Sequence, residues 1–582
     1  MNHGFQIRLG LLLLLTVLFN RGNVGAAQPT APATARERCR AIQFVEFEAI
    51  TLADGLLRQR AARTFDLYKA YTPEHVLTLN YSTTPSDKAF PGDTIGRYIL
   101  SSSLLARALH EPEPETLKKV LAALPSMVNA EGYLGWVLPP DRADETGLAN
   151  IMLANGLTEY YLWKKDRAAL ELNRNLFKQI ILPVRDAYYY YYSPERTDGK
   201  IQWVHCTGDT AQAFGIIDPA TRGAALFPSR ALKTEINELI RLDSKIDHVK
   251  IQAQIHAVLF TARGVLRWYE AEGHPEHLEF AEGLYRSYRQ QAMTENYENF
   301  NWFGRPEWTE GCAIVDSFTV AVRLWRLTGK AEFLRDAQLI LFNGLLANQK
   351  GGDFGINNCV GPNQQIFLKP GQPAPWCCSV WGGKGLARAI QYSYFQRPDG
   401  LMVTIPGNST VTAHLRGGDL TLQQKTEYPH GDGIRFEVMA SQSKKQRTLE
   451  VFTPPWIRPE SIAVTVNGQP AGWTMKDDFL VLKRVMKRGD VIAVQFKQVA
   501  AAAPLLYPER TPGFHRYMHG PLVLGVDTKD EQKLPLNTEL GPLGAACYQA
   551  AGLTLVPLCD LTARRDGGKT ARGSSFQVLF RE

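Results

Sequence analysis

"DSFTVAVRLWRLTGKAEFLRDAQLILFNGLLANQ", residues 316–349, decides the fold reading. Apolar residues recur at helical spacing on both sides of Gly329, and the glycine breaks the run where one helix ends and the next turns back. The stretch therefore predicts an antiparallel helical pair. "DTIGRYILSSSLLARAL" (93–109) has the same character, with Ile95, Ile99 and Leu100 on one face and Leu104, Leu105 and Leu109 continuing it. "GLANIMLANGLTEYYLW" (147–163) behaves likewise. Paired amphipathic helices from about residue 40 to 390 predict an α/α toroid with a central cleft rather than a simple bundle.

The signal changes after residue 390. "LMVTI" (401–405), "TVTAHL" (410–415), "LTLQQKTE" (420–427), "IRFEVMA" (434–440), "RTLEVF" (447–452) and "SIAVTVNGQPAG" (461–472) are short strands between turns, and Asn467-Gly468 marks a hairpin. "FLVLKR" (479–484), "DVIAVQF" (490–496) and "PLVLGVD" (521–527) carry the pattern onward. The expected organisation is a signal peptide over 1–26, a linker over 27–39, a helical domain over 40–390 and a β-sandwich over 391–500. Residues 501–582, after the "AAAP" stretch, complete that sandwich or add another.

The N-terminal expectation rests on "RLGLLLLLTVLF" (8–19), a basic residue and a short apolar run, followed by the small residues "VGA" (24–26). The run is too short for a spanning helix, so cleavage near Ala27 and a secreted or periplasmic location are expected, with no stable membrane insertion. Of 582 residues, 45% are hydrophobic and 21% charged, as in ordinary globular proteins. The net charge of +7 falls to +5 when Arg8 and Arg21 leave with the first 26 residues. Spread over this length it argues against nucleic acid as a partner. A homodimer is compatible with the sequence, which carries nothing that fixes an oligomeric state.

Export makes the eight cysteines informative, although eight in so long a chain form no dense disulfide scaffold. "EWTEGCAIV" (307–315) places Glu310 two positions before Cys312, and "PAPWCCSVWGG" (373–383) holds Cys377 beside Cys378. A disulfide within the adjacent pair is disfavoured, because consecutive Cα atoms lie about 3.8 Å apart and disulfides need roughly 4.4–6.8 Å. Pairing to distant cysteines, buried free thiols and a metal site all remain open. Three thiols and a carboxylate are a tetrahedral zinc set. Such a set needs an extended or turning Glu-x-Cys and a bend at Cys-Cys, which Pro373, Pro375 and Gly382-Gly383 would supply.

Glu-x-Cys followed by a distant Cys-Cys resembles glycoside hydrolase family 127, the β-L-arabinofuranosidase family. "GDTIGRYI" (92–99), "NAEGYLG" (129–135), "IHAV" (255–258) and "MHGPLVLGVD" (518–527) resemble further family segments in the same order. The resemblance implies an (α/α)6 barrel with appended antiparallel β-sandwiches, a multidomain α+β chain. It also implies a retaining glycosidase acting on carbohydrate, with Zn2+ on Glu310, Cys312, Cys377 and Cys378, and Cys377 as nucleophile. The acid/base glutamate falls within "TENYENFNWFGRPEW" (294–308), where Glu298 matches better than Glu295 or Glu307. His256 would bond sugar hydroxyls, and Asn155, in "LANGLTEYY" (153–161), stands where the family has a second histidine, so the sugar need not be arabinofuranose. Trp302, with Phe303 and Trp308, could stack on a ring.

Two other readings compete with the glycosidase. A polysaccharide lyase would draw on Tyr188–Tyr192 and His205. A catalytically silent glycan-binding protein would keep zinc only as a structural ion.

Overall fold

Six helices close a ring, each packing on the next: Asp93–Leu109, Glu145–Lys164, Ile217–Gly223, Ile255–Glu272, Gly311–Thr328 and Cys377–Gln391, which returns to the first. A second set packs against them: Leu56–Ala70, Glu115–Met127, Arg167–Leu176, Arg230–Asp243, Pro275–Gln291 and Ala331–Leu339. This is the expected (α/α)6 arrangement. In this computed structural model the described residues are 35–85, 89–138, 145–183, 210–306, 309–356, 367–368, 372–373, 377–563 and 575–581. The expected signal peptide, Tyr188–Tyr192, His205, Glu307 and Trp308 lie outside them.

The two rings differ as their sequences require. Gly311–Thr328 is buried on nearly every side, as a helix sandwiched between layers must be. Pro275–Gln291 buries one stripe, through His277, Ala281, Leu284, Tyr285 and Tyr288. Gly329 caps the first helix of the opening hairpin in the left-handed region, at φ 74°. Between Asp93–Leu109 and Glu145–Lys164 the backbones touch. A Cβ on Gly96 would come within 2.1 Å of the Met152 carbonyl carbon, so only glycine fits.

The strands after the toroid form antiparallel sheets with one parallel pair. A six-stranded sheet runs in the order 43–44, 394–397, 400–403, 447–452, 479–484 and 474–476, with 447–452 parallel to 400–403. A seven-stranded sheet runs 469–470, 463–466, 491–495, 434–441, 420–426, 409–413 and 50–52. Asn467 and Gly468 have φ of 52° and 78°, the geometry an Asn-Gly hairpin demands. A third sheet starts at Ala500–Ala503, close to the expected boundary.

The structure corrects the N-terminal boundaries. Residues 35–41 are helical although the linker was expected to reach 39, because Ala, Arg and Glu favour helix. Gln43–Phe44 and Ile50–Leu52 precede the toroid but pair with Tyr394–Arg397 and Ser409–Ala413. They belong to the middle sheets and not to the helical domain that was read from residue 40. No helix among the described residues is long and apolar enough to cross a membrane.

Candidate active site

Glu310, Cys312, Cys377 and Cys378 come together: their ligand atoms all lie within 4.8 Å of one another. Glu310 is the extended residue (φ −126°, ψ 126°) just before the Gly311–Thr328 helix, and Cys312 sits in its first turn. Cys377 and Cys378 open the next ring helix. Two helix N-termini thus meet at the thiols, where unpaired N–H groups favour anions. The adjacent cysteines converge by starting a helix, not by the expected bend. Gly382 and Gly383 lie inside that helix, where a Cβ would strike Phe354 and Tyr68.

Spacing decides what the quartet can be. Cys312 Sγ lies 3.7 Å from Cys378 Sγ, and Cys377 Sγ lies 3.8 Å from Glu310 Oε1. No disulfide joins the described cysteines. Two sulfurs on one tetrahedral ion, with bonds near 2.3 Å, sit roughly 3.8 Å apart. The donor set therefore fits a divalent metal. Without a cation the four groups cannot all ionise. Burial and the neighbouring Cys377 push Glu310 up, and burial with Cys377 and Cys378 pushes Cys312 up. Cys377 is raised as well: a hydrogen bond to Cys312 is outweighed by Cys378 and burial. Hydrogen bonds to Cys312 and Cys377 bring Cys378 down to about 5, so it takes the negative charge. Cys312 and Cys378 are buried, while Cys377 is the one quartet cysteine that is only half-buried.

A cleft lined by Phe90, Asp93, Arg97, Gln254, His256 and Phe260 adjoins the quartet through Arg97. Arg97 donates to Asp93 Oδ1 (2.8 Å) and to Cys312 Sγ (3.6 Å), and its NH2 lies 3.2 Å from His256 Nε2. Its guanidinium stacks on Trp381 at 4.6 Å. His256 Nδ1 lies 2.9 Å from Asp316 Oδ2, and Lys384 and Arg263 both donate to Asp316 Oδ1. His256 Nε2 thus faces Arg97, while Nδ1, although close to Asp316, makes no hydrogen bond to it, and Arg97 stands at the cleft beside the ring.

The other expected site residues scatter. Asn155, expected at the sugar, is fully buried and donates to Asp218 Oδ2 at 3.1 Å, within an ion network formed with Arg263 and Arg267. Trp302 is half-buried and bridges to Gln254 of the cleft wall. With its amide nitrogen facing the carboxylate, Asn301 donates to Glu310 Oε2 and accepts from Trp302 Nε1 (2.8 Å). Glu298 is fully buried three residues before Asn301, its N–H donating to Thr294 Oγ1 at 2.9 Å. Glu295 is a tether: Arg516 and the N–H groups of Leu506 and Tyr507 all donate to its carboxylate. Arg97, Asn301, Asp316 and Trp381 escaped the sequence reading, because an Arg or Asp inside a helix carries no local signal of what it meets across the ring.

Residues 400–498 match the family model "Beta-L-arabinofuranosidase, GH127 middle domain". The match is confined to these residues and shows there a domain of the glycoside hydrolase family 127 type. Solved structures of family 127 share its whole architecture. A β-arabinofuranosidase is 15% identical, with a TM-score of 0.69 over 93% of this chain and 98% of its own. A β-L-arabinofuranosidase from Geobacillus stearothermophilus T6 is 14% identical, with a TM-score of 0.69 over 92% and 100%. At these identities the likeness is one of fold. A comparison with curated proteins finds no match.

Proposed function

We propose that the whole chain is a member of glycoside hydrolase family 127 and a retaining glycosidase, β-L-arabinofuranosidase-like, with Cys377 as nucleophile. The observation that carries the reading is the quartet itself: three thiols and a carboxylate within 4.8 Å of one another, with Cys377 the one cysteine among them that is only half-buried. Glu310, Cys312, Cys377 and Cys378 would hold zinc, which supplies the site with ionised thiols at neutral pH. Cys377 Sγ attacks the anomeric carbon while the bond to the leaving oxygen breaks and Glu298 gives that oxygen its proton. Glu298 then takes a proton from water, the water oxygen attacks the same carbon, and the carbon–sulfur bond breaks to return Cys377. Two inversions retain configuration.

Arg97 borders the cleft a sugar would enter, and Trp302 is tied to its wall through Gln254. Asn155, bonded to Asp218, takes no part in this scheme. The N-terminal pattern of a basic residue, an apolar run and small residues supports secretion or a periplasmic location.

The test joins metal analysis to turnover. Purified protein should carry about one zinc per chain and release nitrophenol from an aryl β-L-arabinofuranoside. Zinc without turnover on any aryl glycoside favours the silent glycan-binding protein, a reading supported by the internal engagement of His256 and Asn155. A protein that takes up no zinc and shows a disulfide at any of the four positions refutes both.

A further inference from the structure

We infer that Arg97 is a positioning residue that fastens Cys312 as a fixed ligand and sets the proton on His256. The inference rests on the metal–thiolate reading of the quartet. Among the described residues, Arg97 is the cation that hydrogen-bonds a quartet sulfur, reaching Cys312 at 3.6 Å. Cys377 has Glu310 as its neighbour and no such donor among the described residues.

The chemistry follows from the fork. A guanidinium carries donors only. The nitrogen of His256 that faces it, Nε2 at 3.2 Å, must therefore be the acceptor, and the imidazole proton lies on Nδ1. One planar group reads a sulfur and an imidazole together, and Asp93 and the Trp381 face hold it in place. A lysine ammonium cannot span both partners in this way.

Charge gives the same answer. Three thiolates and a carboxylate around a divalent cation leave two negative charges in excess inside the protein, which is costly without a nearby cation. Arg97, almost completely buried, supplies one at Cys312. Its N–H also draws electron density from that sulfur, which makes Cys312 the poorer nucleophile and leaves Cys377 the better one. The site then needs no difference in thiol chemistry beyond this contact and exposure to decide which sulfur reacts.

The experiment compares zinc-loaded wild type, Arg97→Met and Arg97→Lys. Three readouts are taken: metal retained against a chelator, the sulfur-to-cobalt absorption band after Co2+ exchange, and the order of cysteine alkylation by peptide mass spectrometry. Arg97→Met should retain metal about 10–100-fold more weakly, as loss of an outer-shell partner does. Its cobalt band should shift, and Cys312 should be alkylated alongside Cys377, whereas wild type should react first at Cys377. Arg97→Lys should fall between the two, and it carries the test alone if Arg97→Met does not fold. Metal-loaded wild type with folded variants that match it in all three readouts overturns the inference and leaves the metal reading standing. Wild type that binds neither zinc nor cobalt overturns the metal reading, and this inference with it.

Discussion

The quartet at the head of the ring and the trio His430, Cys559 and Asp560 hold similar donors, each group within 4.8 Å, yet their spacings differ. In the trio, His430 Nε2 lies 2.8 Å from Asp560 Oδ2. That is hydrogen-bond distance, shorter than the roughly 3.3 Å between two nitrogen or oxygen ligands on tetrahedral zinc. The His–Asp bond already uses both groups. Arg60 donates to the Cys559 carbonyl at 2.7 Å, so a positive charge already stands beside this group. Burial and Asp560 push the Cys559 thiol up, so it stays protonated. In the quartet the sulfur–sulfur and sulfur–oxygen separations of 3.7 and 3.8 Å leave room for an ion. The lesson is that donors crowded together do not make a metal site. What matters is the gap between them and whether another bond has filled it.

The largest expected effect breaks the comparison outright if it fails. Cys377→Ser should lower turnover by about 10^4-fold or more, because it removes the nucleophile. Cys559→Ser, a matching change in the trio, should leave turnover within about twofold, since it leaves the reacting groups untouched. Equal losses, with both variants folded by circular dichroism, would mean that Cys377 has no special part in turnover and would remove it as the nucleophile.

Next in size is Glu298→Gln, expected to slow hydrolysis of an alkyl glycoside by about 10^2–10^4-fold while metal content stays at the wild-type level. A nitrophenyl substrate needs little protonation, so its first step should survive. The Cys377 thioglycoside should then accumulate and be seen by mass spectrometry, and azide should restore part of the turnover. Wild-type rates in Glu298→Gln would remove it from the mechanism.

Acidification sharpens the contrast further. Glu310, Cys312 and Cys377 all have raised pKa values, so protons hold these groups in the metal-free state and must leave when metal binds. Affinity should therefore fall as pH falls, by about tenfold or more per pH unit below neutrality, measured by competition with a calibrated chelator. An affinity constant between pH 5 and 8 would contradict the assignment of the ligands.

The smallest effect belongs to the trio. His430→Gln should cost about 1 kcal/mol of stability, the worth of one partly buried hydrogen bond, and should leave zinc stoichiometry unchanged. A loss of metal there would show that the trio, too, holds an ion.

Much of this was legible in the sequence because helix periodicity and strand alternation are local. The pairing around Gly329 and the Asn467-Gly468 hairpin needed only neighbouring residues. The quartet was legible for another reason: its residue types are rare and their order is distinctive. What stayed hidden was set across the ring. Asn155 and His256 have the polarity of sugar-binding residues, and nothing near them in the chain tells that Asp218 bonds the one and Arg97 the other. Gly382 and Gly383 read as a bend because the approach of Phe354 and Tyr68 cannot be seen from their neighbours. The strands at 43–44 and 50–52 were missed because their partners lie hundreds of residues away.

Those two short strands make the ring behave like a barrel hoop closed by a clasp. The helix that begins at Cys377 ends at Gln391, and the chain passes at once into Tyr394–Arg397, which is zipped to Gln43–Phe44 on the entering side. Entry and exit of the toroid are thus fastened to each other by sheet hydrogen bonds. Opening the clasp frees the end of the very helix that carries two of the four ligands. A cut at residue 390 would strand both edge strands without partners and loosen the hoop at the end of that helix away from the cysteines. A metal held by the quartet should therefore be retained less tightly once the middle sheets melt, although the thiols touch none of their strands.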